Sequence, residues 1–279
     1  AQHHGEPRPG GHAGDLGAHQ PRPDDAQALD PHAPHGTRPA AGSTLRSVLV
    51  LWDIDGTLLH GAPRAHVKAL AWAVARVWGV PATAADVTAI RPAGRTDQEI
   101  ARAVLTLHGV PGGEVTPRLP EWMALAAARH EEIERLHPAP AVAPGAAAAL
   151  EAAAALGARQ ALLTGNLEPI GRAKMARAGL DGFFPVGQGA FGSDDERRER
   201  LVPVAAARAR VAAGDVVVVG DTPRDIRCAR AAGARCVAVA TGPHPAGELA
   251  DADAVVPDLA GAVAALAAAA GPRASSTHS

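Results

Sequence analysis

The stretch LVLWDIDGTLLHG, Leu49 to Gly61, decides how the rest of the chain is read. Its apolar start suits a strand in the middle of a sheet, and it ends on two aspartates flanking one isoleucine. A carboxylate at the rim of a hydrophobic core costs free energy unless something pairs with it. Asp53 and Asp55 therefore either open a turn, for which Asp-Gly is an ordinary signal, or hold a cation and do chemistry.

Working outward, similar short runs recur. Gln160 to Leu163 comes after an alanine-rich helix, Ala146 to Leu156, which Gly157 terminates. Val216 to Val219 is four valines; Cys236 to Ala240 comes after a helix at Ile226 to Ala232; Ala254 to Val256 is last. Such runs alternating with helices imply parallel strands buried on both faces: an α/β fold, an open parallel sheet flanked by helices. One interval breaks the alternation. From about Ala62 to Pro140 only helical periodicity is present, at His66 to Trp78, Gln98 to His108 and Glu121 to Leu136. It predicts an inserted all-helical domain over 62–140, with Pro138, Pro140 and Pro144 marking the return. The sheet domain is then 44–61 and 141–270.

Residues 1–43 are rich in Pro, Gly, His and Asp, and bury too little to offset the entropy of ordering. They are expected to be disordered, as is the tail 271–279. Six of the thirteen histidines lie in this extension. It reads as a loose metal-binding tail or as solvated low-complexity sequence, and the irregular spacing favours the second.

The 279 residues, 47% of them hydrophobic, allow one large or two modest domains with ample core. A net charge of -2 argues against a nucleic-acid partner. Cys228 and Cys236 are the only cysteines, which excludes a disulfide framework and suits a reducing compartment. There is no charged n-region with an apolar h-region after it, and Ala262 to Ala270 is too short and weakly hydrophobic to span a bilayer. A soluble cytoplasmic protein without a membrane partner is expected. The basic residues are nearly all arginine; Lys68 and Lys174 are the only lysines.

Ligands of open parallel sheets bind at the carboxyl ends of the strands, so the residues just past each apolar run are informative. After the first come Asp53, Ile54, Asp55, Gly56 and Thr57. After the second come Thr164, Gly165 and Asn166. After the valines come Gly220, Asp221, Thr222, Pro223, Arg224 and Asp225. Four carboxylates converging from distant strands would repel one another without a cation. Oxygen-only ligands suit Mg²⁺, which commonly takes a substrate phosphate as a further ligand.

DIDGTL at Asp53 to Leu58, LLTGN at Leu162 to Asn166 and GDTPRD at Gly220 to Asp225 resemble, in order, three motifs of the haloacid dehalogenase superfamily of phosphohydrolases. The resemblance covers about Leu45 to Leu259. The helical insertion is similar to that family's cap, and GAFGSD at Gly189 to Asp194 is most similar to its phosphoglycolate-phosphatase-like branch. The resemblance implies a Rossmann-like core and a Mg²⁺-dependent phosphatase acting on a small phosphorylated metabolite. Asp53 would be the nucleophile, forming an aspartyl-phosphate. Asp55 would protonate the leaving oxygen and then activate water. Gly56 would let the backbone leave the strand sharply, with Thr57 beside it at the substrate, and the main-chain carbonyl of Asp55 would ligate the metal. Thr164 would donate to a phosphate oxygen, helped by the N–H groups of Gly165 and Asn166; a plain N-cap is the alternative. Asp221 would ligate Mg²⁺. Asp225 would ligate it or orient its water, or instead serve as a helix N-terminal carboxylate.

One departure stands out. The family expects a lysine before the penultimate strand. Lys174 lies well inside the helix after the TGN turn, which reads as the wrong place. Registering Pro203 on the family's downstream proline puts Arg198 in the lysine position, with Arg197 and Arg200 as neighbours on what is otherwise a solvated face of mixed charge. In the insertion, Gly94-Arg95-Thr96-Asp97 is similar to the family's cap loop. Arg95 is a candidate for substrate anion recognition, or a surface arginine beside an N-cap. Two alternatives remain: a sugar phosphomutase, which shares these motifs, and a catalytically impaired phosphate-binding protein, suggested by the missing lysine. Asp55 argues against a dehalogenase. Monomer and homodimer are both open.

Overall fold

The computed structural model describes residues 48–61 and 64–269; the expected disordered segments 1–43 and 271–279 lie outside them. The chain starts with β1 (Leu49–Trp52) and β2 (Leu59–His60). Five helices come next: α1 (Arg64–Trp78), α2 (Ala84–Ala89), α3 (Asp97–Leu107), α4 (Gly112–Val115) and α5 (Leu119–Glu134). β3 (Ala141–Val142) pairs antiparallel with β2, so a short ribbon closes the insertion at its base. The second half runs α6 (Ala146–Ala155), β4 (Arg159–Thr164), α7 (Glu168–Arg177), β5 (Ala190–Phe191), α8 (Leu201–Ala209), β6 (Val216–Gly220), α9 (Pro223–Ala231), β7 (Arg235–Val239), β8 (Ala254–Val256) and α10 (Leu259–Ala269).

The sheet has six parallel strands in the order β5-β4-β1-β6-β7-β8. From β1 the chain goes outward through β4 and β5, then returns to lay β6 on the other side. The carboxyl ends of β1, β4 and β6 therefore surround the switch point where such sheets bind ligands. All four residues of β1 are buried, and successive side chains enter opposite layers. Val50 and Trp52 pack with Leu150, Leu162 and Leu266; Leu49 and Leu51 pack with Leu201, Val202 and Ile226. A strand clothed on both faces needs apolar residues at every position, which is why β1 and β6 read as unbroken runs. Trp52 donates its Nε1–H to Gln160 Oε1 at 3.0 Å, and Gln160 donates to Leu150 O at 3.0 Å, so the buried polar atoms in this layer are paired.

Alanine carries α6 through its helical propensity, and Gly157, at φ 80°, ends it as its sequence position predicts. The helical insertion has its own core. Trp122 is fully buried against α1 with Val74, Ile100, Val104 and Leu105, and this cluster continues onto Leu167 and Ile170 of the sheet domain. The short helices α2 and α4 escape sequence patterning, as do the two-residue strands β2, β3 and β5, which are too short to display a period. Among the described residues no helix is long and apolar enough to cross a membrane. Both cysteines are unpaired and buried; burial pushes the Cys228 thiol up to about 12.

Candidate active site

The amide of Asp53 extends the ladder of β1, donating to Val219 O on β6 at 2.9 Å. The chain then folds into a tight loop: Leu58 and Leu59 donate to Ile54 O at 3.0 and 2.8 Å, and Gly56 donates to Leu59 O at 2.8 Å. Gly56 adopts φ 96°, and a β-carbon there would stand 2.2 Å from Asp221 Oδ2. Gly242, just past β7, comes closer still: its β-carbon would fall 1.7 Å from the same oxygen. The carboxylate of Asp221 is thus wedged between two glycines. Thr57 is fully buried and donates to Asp221 Oδ1 at 3.1 Å. It orients that aspartate and is not part of the cavity wall.

Asp225 sits at the third position of α9, where it completes a capping box. Its Oδ2 accepts from Thr222 N at 3.0 Å and Thr222 Oγ1 at 2.7 Å. The helix-terminal and site alternatives hold together, because Oδ1 faces the other way, onto Arg198. Arg198, 3% exposed, donates through Nη2 to Asp53 Oδ1 at 2.8 Å and to Asp225, and through Nη1 to Gly94 O at 3.3 Å. Its neighbours Arg197 and Arg200 are exposed.

Asp53, Asp221 and Asp225 each offer an oxygen within 4.8 Å of the others'. Burial, then repulsion from Asp225, raises the carboxyl of Asp53 to about 7. Burial, then repulsion from Asp53, raises that of Asp221 to about 8. One guanidinium does not balance three carboxylates, and Asp221 Oδ2 is buried with no hydrogen-bond partner among the described residues. Oxygen donors, surplus negative charge and an orphaned acceptor together fit a small, hard divalent cation.

The side chain of Asp55 does not join this cluster; three carboxylates converge, not four. It turns to Lys174, whose Nζ donates to Oδ1 at 2.8 Å and Oδ2 at 2.7 Å, and to Asn166, whose Nδ2 donates to Oδ2 at 2.8 Å. Burial alone would raise its carboxyl, but the fields of Lys174 and His66, together with the hydrogen bonds from Lys174 and Asn166, outweigh this and hold it at about 2. Sequence order misplaces Lys174: the structure puts it at the site, although not in Arg198's position. Asn166 also donates to Thr164 Oγ1, from N at 3.2 Å and Nδ2 at 2.6 Å.

A cavity of about 560 Å³ opens between sheet and insertion. Asp53, Asp55, Gly56, Thr164, Gly165, Asn166, Arg198 and Asp221 line its floor, and His66, Arg91 and Arg95 line its roof. Arg95 is half-buried and paired with Glu99. The roof is bonded to the floor. Asp97 N donates to Gly165 O at 2.8 Å, Leu167 N donates to Asp97 Oδ2 at 2.7 Å, and Gln98 Nε2 donates to Gly192 O at 2.6 Å. A β-carbon on Gly165 would lie 2.0 Å from Arg95 O, so the bare backbone there admits the loop of the insertion. Thr96 caps α3, accepting from Glu99 N at 3.1 Å. Sequence reasoning also misses Thr241, which donates to Gly56 O at 2.8 Å, and Gly242. Their signal is present in the chain, since ATGP comes directly after β7 at the same rim.

Fold and site define a capped α/β protein with an acidic centre at the sheet's switch point. The chain belongs to the haloacid dehalogenase-like hydrolases, whose family model matches residues 48–233. It is 31% identical over 192 residues to phosphoglycolate phosphatases from two strains of Cereibacter sphaeroides, ATCC 17029 and KD131, covering 67% of this chain and 82% of each relative. Among solved structures, CbbY from Rhodobacter sphaeroides in complex with phosphate superposes with a TM-score of 0.57 at 20% identity, covering 76% of this chain and 94% of that one. A predicted phosphoglycolate phosphatase from Haemophilus somnus superposes with a TM-score of 0.58 at 17% identity, covering 81% and 100%.

Proposed function

We propose that the protein is a Mg²⁺-dependent phosphatase that hydrolyses a small phosphomonoester through an aspartyl-phosphate on Asp53. The observation that carries this is the cluster of Asp53, Asp221 and Asp225 around a single arginine, with one buried carboxylate oxygen unpartnered. These three, with the main-chain carbonyl of Asp55, would hold Mg²⁺. When bound, the ion neutralises the carboxylates and the charge on the transferring phosphoryl oxygens.

Asp53 attacks phosphorus, its carboxylate oxygen forming the new P–O bond as the bond to the leaving oxygen breaks. Arg198 balances charge on the nucleophile and the phosphoryl group. The hydroxyl of Thr164, which accepts from Asn166, keeps its own proton to donate to a phosphoryl oxygen, and the N–H groups of Gly165 and Asn166 add to that cradle. Asp55 gives a proton to the leaving oxygen, then takes one from the water that hydrolyses the intermediate. An approaching phosphate dianion opposes the field of Lys174 and raises the proton affinity of Asp55, as the first step requires. In this scheme 62–140 is a cap over 44–61 and 141–270, closing on the substrate and excluding water. Arg95 contacts the substrate's far end. Two unpaired buried cysteines support a reducing, cytoplasmic setting.

The motive for an impaired site is the missing lysine; the pairing of Arg198 with Asp53 and Asp225 supports the active reading instead. The relatives make 2-phosphoglycolate the first substrate to try. Turnover of para-nitrophenyl phosphate with Mg²⁺, abolished by chelation, is expected; absence of turnover at high enzyme concentration refutes the proposal. A panel of phosphorylated metabolites then ranks substrates by kcat/KM, and formation of an isomeric sugar phosphate in place of inorganic phosphate would mark a phosphomutase.

A further inference from the structure

Lys174 has no part in the steps above, yet it is only 4% exposed. A buried ammonium is costly unless its protons and charge are matched. Here all are. Nζ donates to the carboxylate of Asp55 at 2.7 Å, to Asn166 Oδ1 at 2.8 Å and to His66 Nδ1 at 3.4 Å. An ammonium has three N–H donors, and these three groups take them. No proton is left for a substrate oxygen. Lys174 stands outside the wall of the main cavity, behind Asp55, on a smaller cavity of about 280 Å³.

The partners are themselves fixed. Asn166 turns Oδ1 to Lys174 and Nδ2 to Asp55 and Thr164, leaving its amide one orientation. With Nδ1 accepting, His66 carries its proton on Nε2 and donates it to Asp97 at 3.0 Å. Asp97 is tied in turn to the backbone of Leu167. The chain Asp97, His66, Lys174, Asn166 and Asp55 therefore sets the direction of one carboxylate that faces the cavity. Asp55 is the one cavity-facing charge that Lys174 touches, so its main effect on the reaction passes through that carboxylate.

We propose that Lys174 is a positioning residue, which with Asn166 aims the carboxylate of Asp55 for proton transfer at the leaving oxygen. This rests on the phosphatase reading of the same site. The test separates aiming from mere structural support. An aryl phosphate such as para-nitrophenyl phosphate releases a stable phenolate and needs little proton transfer, whereas an alkyl phosphomonoester must have its leaving oxygen protonated. The ratio kcat/KM reports steps up to the first phosphoryl transfer. Lys174→Met, which keeps the stem but loses the charge, should lower kcat/KM by about tenfold to a hundredfold on the best alkyl ester of the panel, and less than about threefold on the aryl ester. Equal losses on both esters, or none on either, overturn the proposal. If the methionine variant does not fold, Lys174→Gln takes its place, losing the charge but able to keep one donor to Asp55. It should show a smaller loss of about threefold to tenfold on the alkyl ester and none on the aryl ester, and equal losses on both or none on either overturn the proposal. Wild-type protein that turns over neither ester refutes the phosphatase reading, and the positioning role with it. Wild-type turnover with equal losses in the variant refutes the positioning role alone.

Discussion

Asp53 and Asp55 lie two residues apart on one loop, and their surroundings drive them in opposite directions. Asp53 shares a single guanidinium with Asp225 and lies beside Asp221; its carboxyl is raised to about 7. Asp55 has an ammonium to itself, and its carboxyl falls to about 2. Burial pushes both upward, so the local count of charges decides the difference. One half of the site is short of positive charge and the other is balanced. In the proposed mechanism a divalent cation belongs to the first half, and a group that gives and takes a proton belongs to the second.

Removing the proposed nucleophile should break this contrast most severely. Asp53→Asn is expected to lower turnover by about four orders of magnitude or more, while the metal-free melting temperature holds or rises because a repelling charge is gone. Phosphate release at the wild-type rate would contradict the role. Arg198→Ala comes next, with a loss of roughly two or more orders in kcat, whereas Arg200→Ala, at an exposed position, should leave kcat unchanged. Reversal of these two results would mean that the wrong arginine carries the charge. Gly242→Ala drives a methyl into Asp221 and should weaken Mg²⁺ binding by about tenfold, measured calorimetrically; wild-type affinity would show that the wedge around Asp221 is irrelevant.

The smallest effect concerns pH. Asp53 and Asp221 bind their protons more tightly in the folded chain, at about 7 and about 8 against an ordinary 3.8. Their contribution to stability is therefore present at low pH and is lost as pH rises through those values. Asp55, lowered to about 2, contributes above 3.8 and loses that contribution as pH falls. The metal-free melting temperature should decline between about pH 5 and about pH 8, and saturating Mg²⁺ should remove most of the decline. A flat metal-free profile would show that the three carboxylates are not crowded.

The features legible in the sequence are those set by local chemistry. β1 and β6 announce themselves because burial on both faces demands an apolar residue at every position, and their acidic ends are contiguous with them. Arg198 is reachable because Pro203 fixes its register and the chain substitutes arginine for lysine nearly everywhere. Lys174 is not. It meets Asp55 across 119 positions, and from Glu168, the start of α7, it looks remote from the motif. Helical side chains lean toward the N-terminus of their helix, so the long stem carries the ammonium back to Asn166. The split of Asp55 from the other carboxylates is hidden for the same reason, since the i, i+2 spacing gives a shared pocket but not the direction of either carboxylate.

The most direct test is crystallographic: crystals soaked in Mn²⁺, as an anomalous stand-in for Mg²⁺. The expected result is one strong anomalous peak at direct-ligand distance from oxygens of Asp53, Asp221 and Asp225, with the Asp55 side chain still on Lys174. No peak at that cluster, or a peak held by the Asp55 side chain instead, would contradict the division of charge on which the mechanism stands.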